Sequence, residues 1–291
     1  MKPDNEYSYR ASVKSDISDE LINTYVFRPL AGVLVRILYF TPVTPNQVTI
    51  AAVLSGFLAA FLYLWNVPSL TLIAGLSLTL KDLLDSADGQ LARAKQLYSR
   101  AGRFLDSLGD FAVNLLVFTA ISIVLTETTY SSFIPVMGFL GFAGITLRVS
   151  YHVFYQTSFL HLHNAYTLNR TTEEIREEDR AADSVTLGLQ SIFVALYGWQ
   201  DRMMVKLDGW CRNGLSQSHD HDMRWYGDYL GLRLSGFLGL GTELFVLMAC
   251  SVVHRLDVYL YLNIFLLNGI WLICIVYRRF VLSSRVKYSY T

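Results

Sequence analysis

The stretch DLLDSADGQLARAKQLYSRAGRFLDSLGD, residues 82–110, decides how this chain is read. It carries five aspartates, yet long apolar runs flank it on both sides. Acids are costly in a bilayer and are kept where they do work. The flanking runs therefore come first.

The chain has 291 residues, and 53% of them are hydrophobic. Apolar stretches near the length that crosses a bilayer recur six times, at about 46–66, 68–92, 102–127, 131–157, 229–253 and 256–279. The expected fold class is an all-α integral membrane protein with six transmembrane helices. With the N-terminus in the cytoplasm, the outer loops fall near 66–69, 127–131 and 252–256. Of 24 lysines and arginines only Arg255 lies in them, as the positive-inside rule asks. The acidic stretch then faces the cytoplasm, and the protein is expected to be multi-pass with its active site on that side. Residues 1–20 are polar and lack a signal-peptide pattern, so the chain is expected to keep its N-terminus.

The parts outside the spans are read more simply. In 20–40 the apolar residues fall mostly on one side, with Arg28 and Arg36 on the other. This predicts a juxtamembrane amphipathic helix, ended by Pro42 and Pro45. Residues 158–228 form a long polar insertion. In it Thr171 and Glu174 read as a capping box, and 184–210 as a surface or partly buried helix too short in apolar length for a seventh span. The expected organisation is 1–45 N-terminus and juxtamembrane helix, 46–157 the first four spans, 158–228 the insertion, and 229–291 the last two spans and tail. Cys211, Cys250 and Cys274 are scattered and predict neither a disulfide framework nor a zinc site. Zero net charge gives no general pull toward nucleic acid. HLH at 161–163 and SHDHD at 218–222 read as solvated polar segments. Trp65, Tyr130, Tyr151 and Tyr277 read as interfacial aromatics, and Asn169-Arg170-Thr171 as a sequon left unused in a cytoplasmic loop.

Asp85 and Asp88 are three apart and Asp106 and Asp110 four apart, so each pair shares a helix face. A turn within 90–103 joins the two helices and brings the faces together. Four convergent carboxylates repel and resist desolvation. A divalent cation answers both, and Mg²⁺ or Mn²⁺ prefers oxygen ligands. Two ions about 4 Å apart suit phosphoryl transfer. Gly89, Ala92 and Gly102 let a ligand approach the backbone, and Arg93 can fork onto phosphate oxygens. The set describes a site for a pyrophosphate-bearing nucleotide. Asp82, beside Lys81, reads as a structural ion pair.

The complete pattern Asp85-x2-Asp88-Gly89-x2-Ala92-Arg93-x8-Gly102-x3-Asp106-x3-Asp110 resembles the signature of the CDP-alcohol phosphotransferases (CDP-alcohol phosphatidyltransferases), integral membrane enzymes of phospholipid synthesis. TPNQVT at 44–49 is similar to the family's Thr-Pro-Asn segment. The resemblance covers about residues 20–157 and implies the following. Asp85, Asp88, Asp106 and Asp110 hold the metals, and Asp110 is also catalytic. Gly89, Ala92 and Gly102 line the cytidine pocket, Arg93 meets the phosphates, and Pro45, Asn46 and Thr49 border the nucleotide. It also implies a homodimer, a CDP-linked donor and an alcohol acceptor. Asp110, one turn deeper than Asp106, is the candidate general base. Arg148 and His152, at the cytoplasmic end of the fourth span, are candidates for the acceptor site. The weighed alternatives are a divalent-cation transporter and a non-catalytic scaffold. A transporter is expected to place its acids near the midplane in repeated halves, and a scaffold to have lost an acid.

Overall fold

The computed structural model describes residues 7–12, 20, 22–163, 170–181, 183–212, 214–215 and 218–288. Among them the regular structure is helical. The long elements are α2 (Arg28–Tyr39), α3 (Pro45–Tyr63), α4 (Pro68–Lys95), α5 (Arg100–Thr129), α6 (Ile134–Leu162) and α7 (Ser184–Arg212). The short ones are α1 (Tyr9–Ser12), α8 (His219–Tyr226) and α9 (Tyr229–Ser235). The chain closes with α10 (Leu240–Val252) and the long α11 (Leu256–Lys287).

Five of the expected spans each coincide with one helix, and the sixth, 229–253, falls on a broken pair, Tyr229–Ser235 and Leu240–Val252; the helices are not equally apolar. Among the described residues α3, α5, α6 and α11 are long and apolar enough to cross a membrane, and a fifth crossing counts if Tyr229–Leu238 and Leu240–Val252, bent by 42°, act as one. The helix missing from this set is α4. Its 28 residues reach about 42 Å, but Lys81 stands at its middle and Asp82, Asp85 and Asp88 in its second half.

The chain divides into two compact units. The first comprises 1–14, 22–139 and 244–259. Here α3 packs against both α4 and α5, and α2 packs on α4. Small residues set the closeness: a Cβ on Gly56 would meet Val113 at 2.5 Å, and one on Gly109 would meet Val53 at 2.3 Å. At the far end of the bundle the Tyr63 hydroxyl meets Ser251 at 2.7 Å.

In α2 the expected division of faces changes. Ala31, Gly32 and Val35 are buried together with Arg28, while Leu30, Val33, Ile37 and Phe40 form an exposed apolar stripe. Arg28 is thus not on an outer polar face. The small residues, not the large apolar ones, make the packing face, because α4 lies close.

The second unit comprises 15–21, 140–243 and 260–291. Tyr151, Phe154, Tyr155, Phe159, Met204 and Leu232 build its core. Asp208, from α7, is buried and accepts from Tyr155 (2.9 Å), Trp225 (2.8 Å) and Tyr226 (2.8 Å). These bonds tie much of the polar insertion into a packed body. Several sequence expectations change here. Tyr151 and Tyr277 are buried and are not interfacial, unlike the exposed Trp65 and Tyr130. Thr171 and Glu174 open no helix. Instead Asp183 caps α7, accepting from the Thr186 backbone at 3.0 Å, and Arg170 pairs with Glu173, Glu178 and the fully buried Asp179. SHDHD is helical, with Ser218 accepting from the His221 backbone and Asp222 paired to Arg212. Asn169 lies outside the described residues.

Candidate metal and nucleotide site

The acidic site forms where α4 ends and α5 begins. Gln96 adopts the left-handed conformation (φ 55°, ψ 33°) and closes α4. The Leu97 and Gln96 amides return to the Ala92 and Arg93 carbonyls at 2.9 and 3.2 Å, a common helix stop. Ser99 then caps α5, accepting from the Gly102 amide at 2.8 Å. This short reversal runs the two helices antiparallel and puts their acidic faces side by side.

Asp85, Asp88 and Asp106 each present a carboxylate oxygen within 4.8 Å of the others. Asp88 is buried and the other two are half-buried. Three carboxylates from two helices fit an oxygen-preferring divalent cation of the Mg²⁺ or Mn²⁺ kind. Asp88 also accepts a hydrogen bond from the Thr49 hydroxyl of α3. Thr49, expected beside the nucleotide, thus holds the acid that starts the glycine-bearing part of the motif.

Asp110 is engaged differently. Lys81, buried on α4, donates to it and forms an ion pair. The sequence paired Lys81 with its neighbour Asp82; adjacent residues point to different sides of a helix, and the lysine reaches across to α5 instead. Lys81 is the site residue that motif reading missed. A signal existed: Lys81, Asp85 and Asp88 fall at i, i+4 and i+7, one face of α4.

Asn46 and Gly102 meet where α3 and α5 begin. A Cβ on Gly102 would stand 2.4 Å from Asn46 Oδ1 and 2.7 Å from Ser99 Oγ. Glycine here lets the starts of α3 and α5 touch. Pro45 is the first residue of α3, behind a full capping box in which Thr44 accepts from Gln47 N at 3.4 Å and donates its own amide to Gln47 Oε1 at 2.9 Å. Lys95 donates to the carbonyls of Thr41 (2.8 Å) and Val43 (2.7 Å), which fastens the α2–α3 connection to the end of α4. A Cβ on Gly89 would meet nothing but the Arg93 guanidinium, at 3.5–4.0 Å. The Arg93 guanidinium thus lies over the Gly89 face of α4, with Ala92 half-buried one turn along.

Arg148 and His152 belong to the second unit. Both are buried. Arg148 donates to Glu243 (2.7 Å), to the Asn263 carbonyl (3.1 Å) and to the Asn268 side chain, and His152 Nδ1 lies 3.1 Å from Ser235 Oγ. These partners give both residues a structural task.

Comparison with known proteins agrees with the motif. The CDP-alcohol phosphatidyltransferase model matches residues 42–160. The chain is 30% identical over 96 residues, 33% of its length, to a bifunctional IPC transferase and DIPP synthase of Archaeoglobus fulgidus. It is 40% identical over 68 residues, 23% of its length, to the Thermococcus kodakarensis protein of the same description. It is 44% identical over 69 residues, again 23%, to an archaetidylinositol phosphate synthase of Pyrococcus horikoshii. The chain spans only 19%, 15% and 35% of those relatives' own lengths. The matched region begins before α3, runs through both acidic helices and ends inside α6. Over residues 42–160, then, the chain is similar to the CDP-alcohol phosphatidyltransferase family.

Proposed function

We propose that the protein transfers a substituted phosphate group from a CDP-linked donor, foremost CDP-diacylglycerol or a similar CDP-lipid, to an alcohol acceptor, releasing CMP, as a step of phospholipid synthesis. The observation that carries this reading is the convergence of Asp85, Asp88 and Asp106 within 4.8 Å, inside a complete family motif. These acids, joined by Asp110, would hold Mg²⁺ or Mn²⁺ as a pair of ions. The ions, when bound, would supply charge neutralisation at the phosphate under attack and on the departing CMP.

The chain's own groups do the remainder. Arg93 forks onto the diphosphate, Gly89, Ala92 and Gly102 give the cytidine its bed, and Pro45, Asn46 and Thr49 border it. Asp110 receives the acceptor's hydroxyl proton, held in place by Lys81. The hydroxyl oxygen bonds the phosphorus that carries the lipid, the bond to CMP breaks, and no side chain becomes covalently linked. The relative named archaetidylinositol phosphate synthase favours a phosphorylated polyol as the first acceptor to try. In this reading the six spans hold, α2 lies along the bilayer surface, the site opens to the cytoplasm and two copies pair.

The test offers purified protein CDP-diacylglycerol or soluble CDP-alcohols, each with inositol phosphate, glycerol phosphate and uncharged alcohols. CMP release with one pair, abolished by excess EDTA, supports the reading. A folded protein that yields no CMP with any pair contradicts it and favours a transporter or scaffold.

A further inference from the structure

Arg93 is fastened from a distant part of the chain. Its Nε–H donates to the carbonyl of Ser12, 81 residues earlier. Ser12 is fully buried, and its hydroxyl donates to the Tyr9 carbonyl at 2.7 Å, which shapes the turn that presents Ser12. The turn is seated on α2. Tyr9 lies so close to Gly32 that a Cβ there would meet its ring at 2.4 and 2.8 Å. The Tyr7 hydroxyl donates to the Gly32 carbonyl at 3.2 Å, and its ring lies 5.7 Å from that of Tyr39.

The direction of the arginine gives these contacts a meaning. Its side chain runs back along α4, with the terminal nitrogens 3.5 and 3.7 Å from where a Gly89 Cβ would be, one residue from Asp88. An arginine near a helix end in a membrane protein commonly extends to the interface. Here a backbone carbonyl fixes the Nε edge and so sets the plane of the guanidinium. Bidentate recognition of phosphate depends on that plane.

We infer that Tyr7–Ser12 is a strap that positions Arg93 for the diphosphate of the CDP-linked donor. The inference rests on the functional reading above. The strap residues touch no reacting atom and act through the arginine.

The test measures CDP binding by calorimetry in Mg²⁺, and the kinetics of CMP release, for the parent, for a chain lacking residues 2–12, and for Tyr9→Ala. Both changes are repeated in an Arg93→Ala background. Loss of one oriented hydrogen bond to a charged group corresponds to roughly tenfold in affinity. The truncation, which removes that bond, should therefore weaken CDP binding and raise the donor KM by about tenfold; Tyr9→Ala, which only loosens the seat of the turn, should shift both the same way by less; both should leave kcat within about twofold and add nothing once Arg93 is alanine. The Tyr9→Ala variant removes one exposed ring and guards against a truncation that fails to fold. A parent that binds CDP, with strap variants that bind it equally or more tightly, overturns the inference alone. So does an equal loss in the Arg93→Ala background. A parent that binds no CDP overturns the functional reading, and this inference with it.

Discussion

Lys81 precedes Asp85 by one turn and is buried against Asp110. Breaking such a buried pair from one side leaves a charge without compensation, at roughly 3–5 kcal/mol. Lys81→Met should therefore lower the unfolding midpoint clearly, while Lys81→Met combined with Asp110→Asn should recover most of the loss. A double variant no more stable than the single one would show that the pair carries no such weight. Asp110→Asn alone should reduce CMP release by ~10²–10⁴-fold with CDP affinity within a few-fold of the parent. Equal loss of both would make Asp110 mainly a metal ligand. The acids were legible because motif spacing and helical periodicity point the same way. The roles of Lys81 and Thr49 were not, since each acts across helices: Thr49 of α3 bonds Asp88 of α4, and no local pattern encodes that partner.

At the scale of elements, Asn46 of α3 sits against the start of α5 because residue 102 carries no side chain. Gly102→Ala would place a Cβ 2.4 Å from Asn46 Oδ1. The atoms met are the ends of the Asn46 and Ser99 side chains, so the cost falls at or below the low end of the ~1–3 kcal/mol typical of overpacking, and relief requires Asn46 to swing away from residue 102. The expected result is a lower melting midpoint and weaker CDP binding together. A variant with an unchanged midpoint and unchanged affinity would mean that α3 and α5 need not touch there. Helix starts were readable where the capping residue is local, as at Thr44. They failed at Thr171, where Glu173 and Glu178 serve Arg170 instead and the true cap, Asp183, lies twelve positions on. For Arg28 and Tyr151 periodicity correctly gave a helix. Which face is buried depends on neighbours far away in sequence.

At the scale of the molecule, hydropathy located the long apolar helices among the described residues, but α4 shows its limit. Its charges keep it out of the helices apolar enough to cross a membrane. Topology is testable because Cys211, Cys250 and Cys274 are buried and should label slowly. Tyr98 and Tyr130 are both exposed and bracket α5. Tyr98→Cys should react with an impermeant thiol reagent only from the cytoplasmic side, and Tyr130→Cys only from the other. Labelling of both from one side would refute six spans in this orientation. The insertion 158–228 gave little from sequence, because its polar residues are spent on one another: Asp208, Trp225 and Tyr226 make sense only once α7 and α8 are packed.

If the acids of α4 and α5 gather a divalent cation that holds a cytidine diphosphate, calorimetric titration of CDP into the purified protein will read it. Binding should be present with Mg²⁺ or Mn²⁺, lost in excess EDTA, and weakened at least ~10-fold by Asp88→Asn, which removes one ligand charge. CDP binding of equal strength in EDTA, or in the Asp88→Asn protein, would contradict the account.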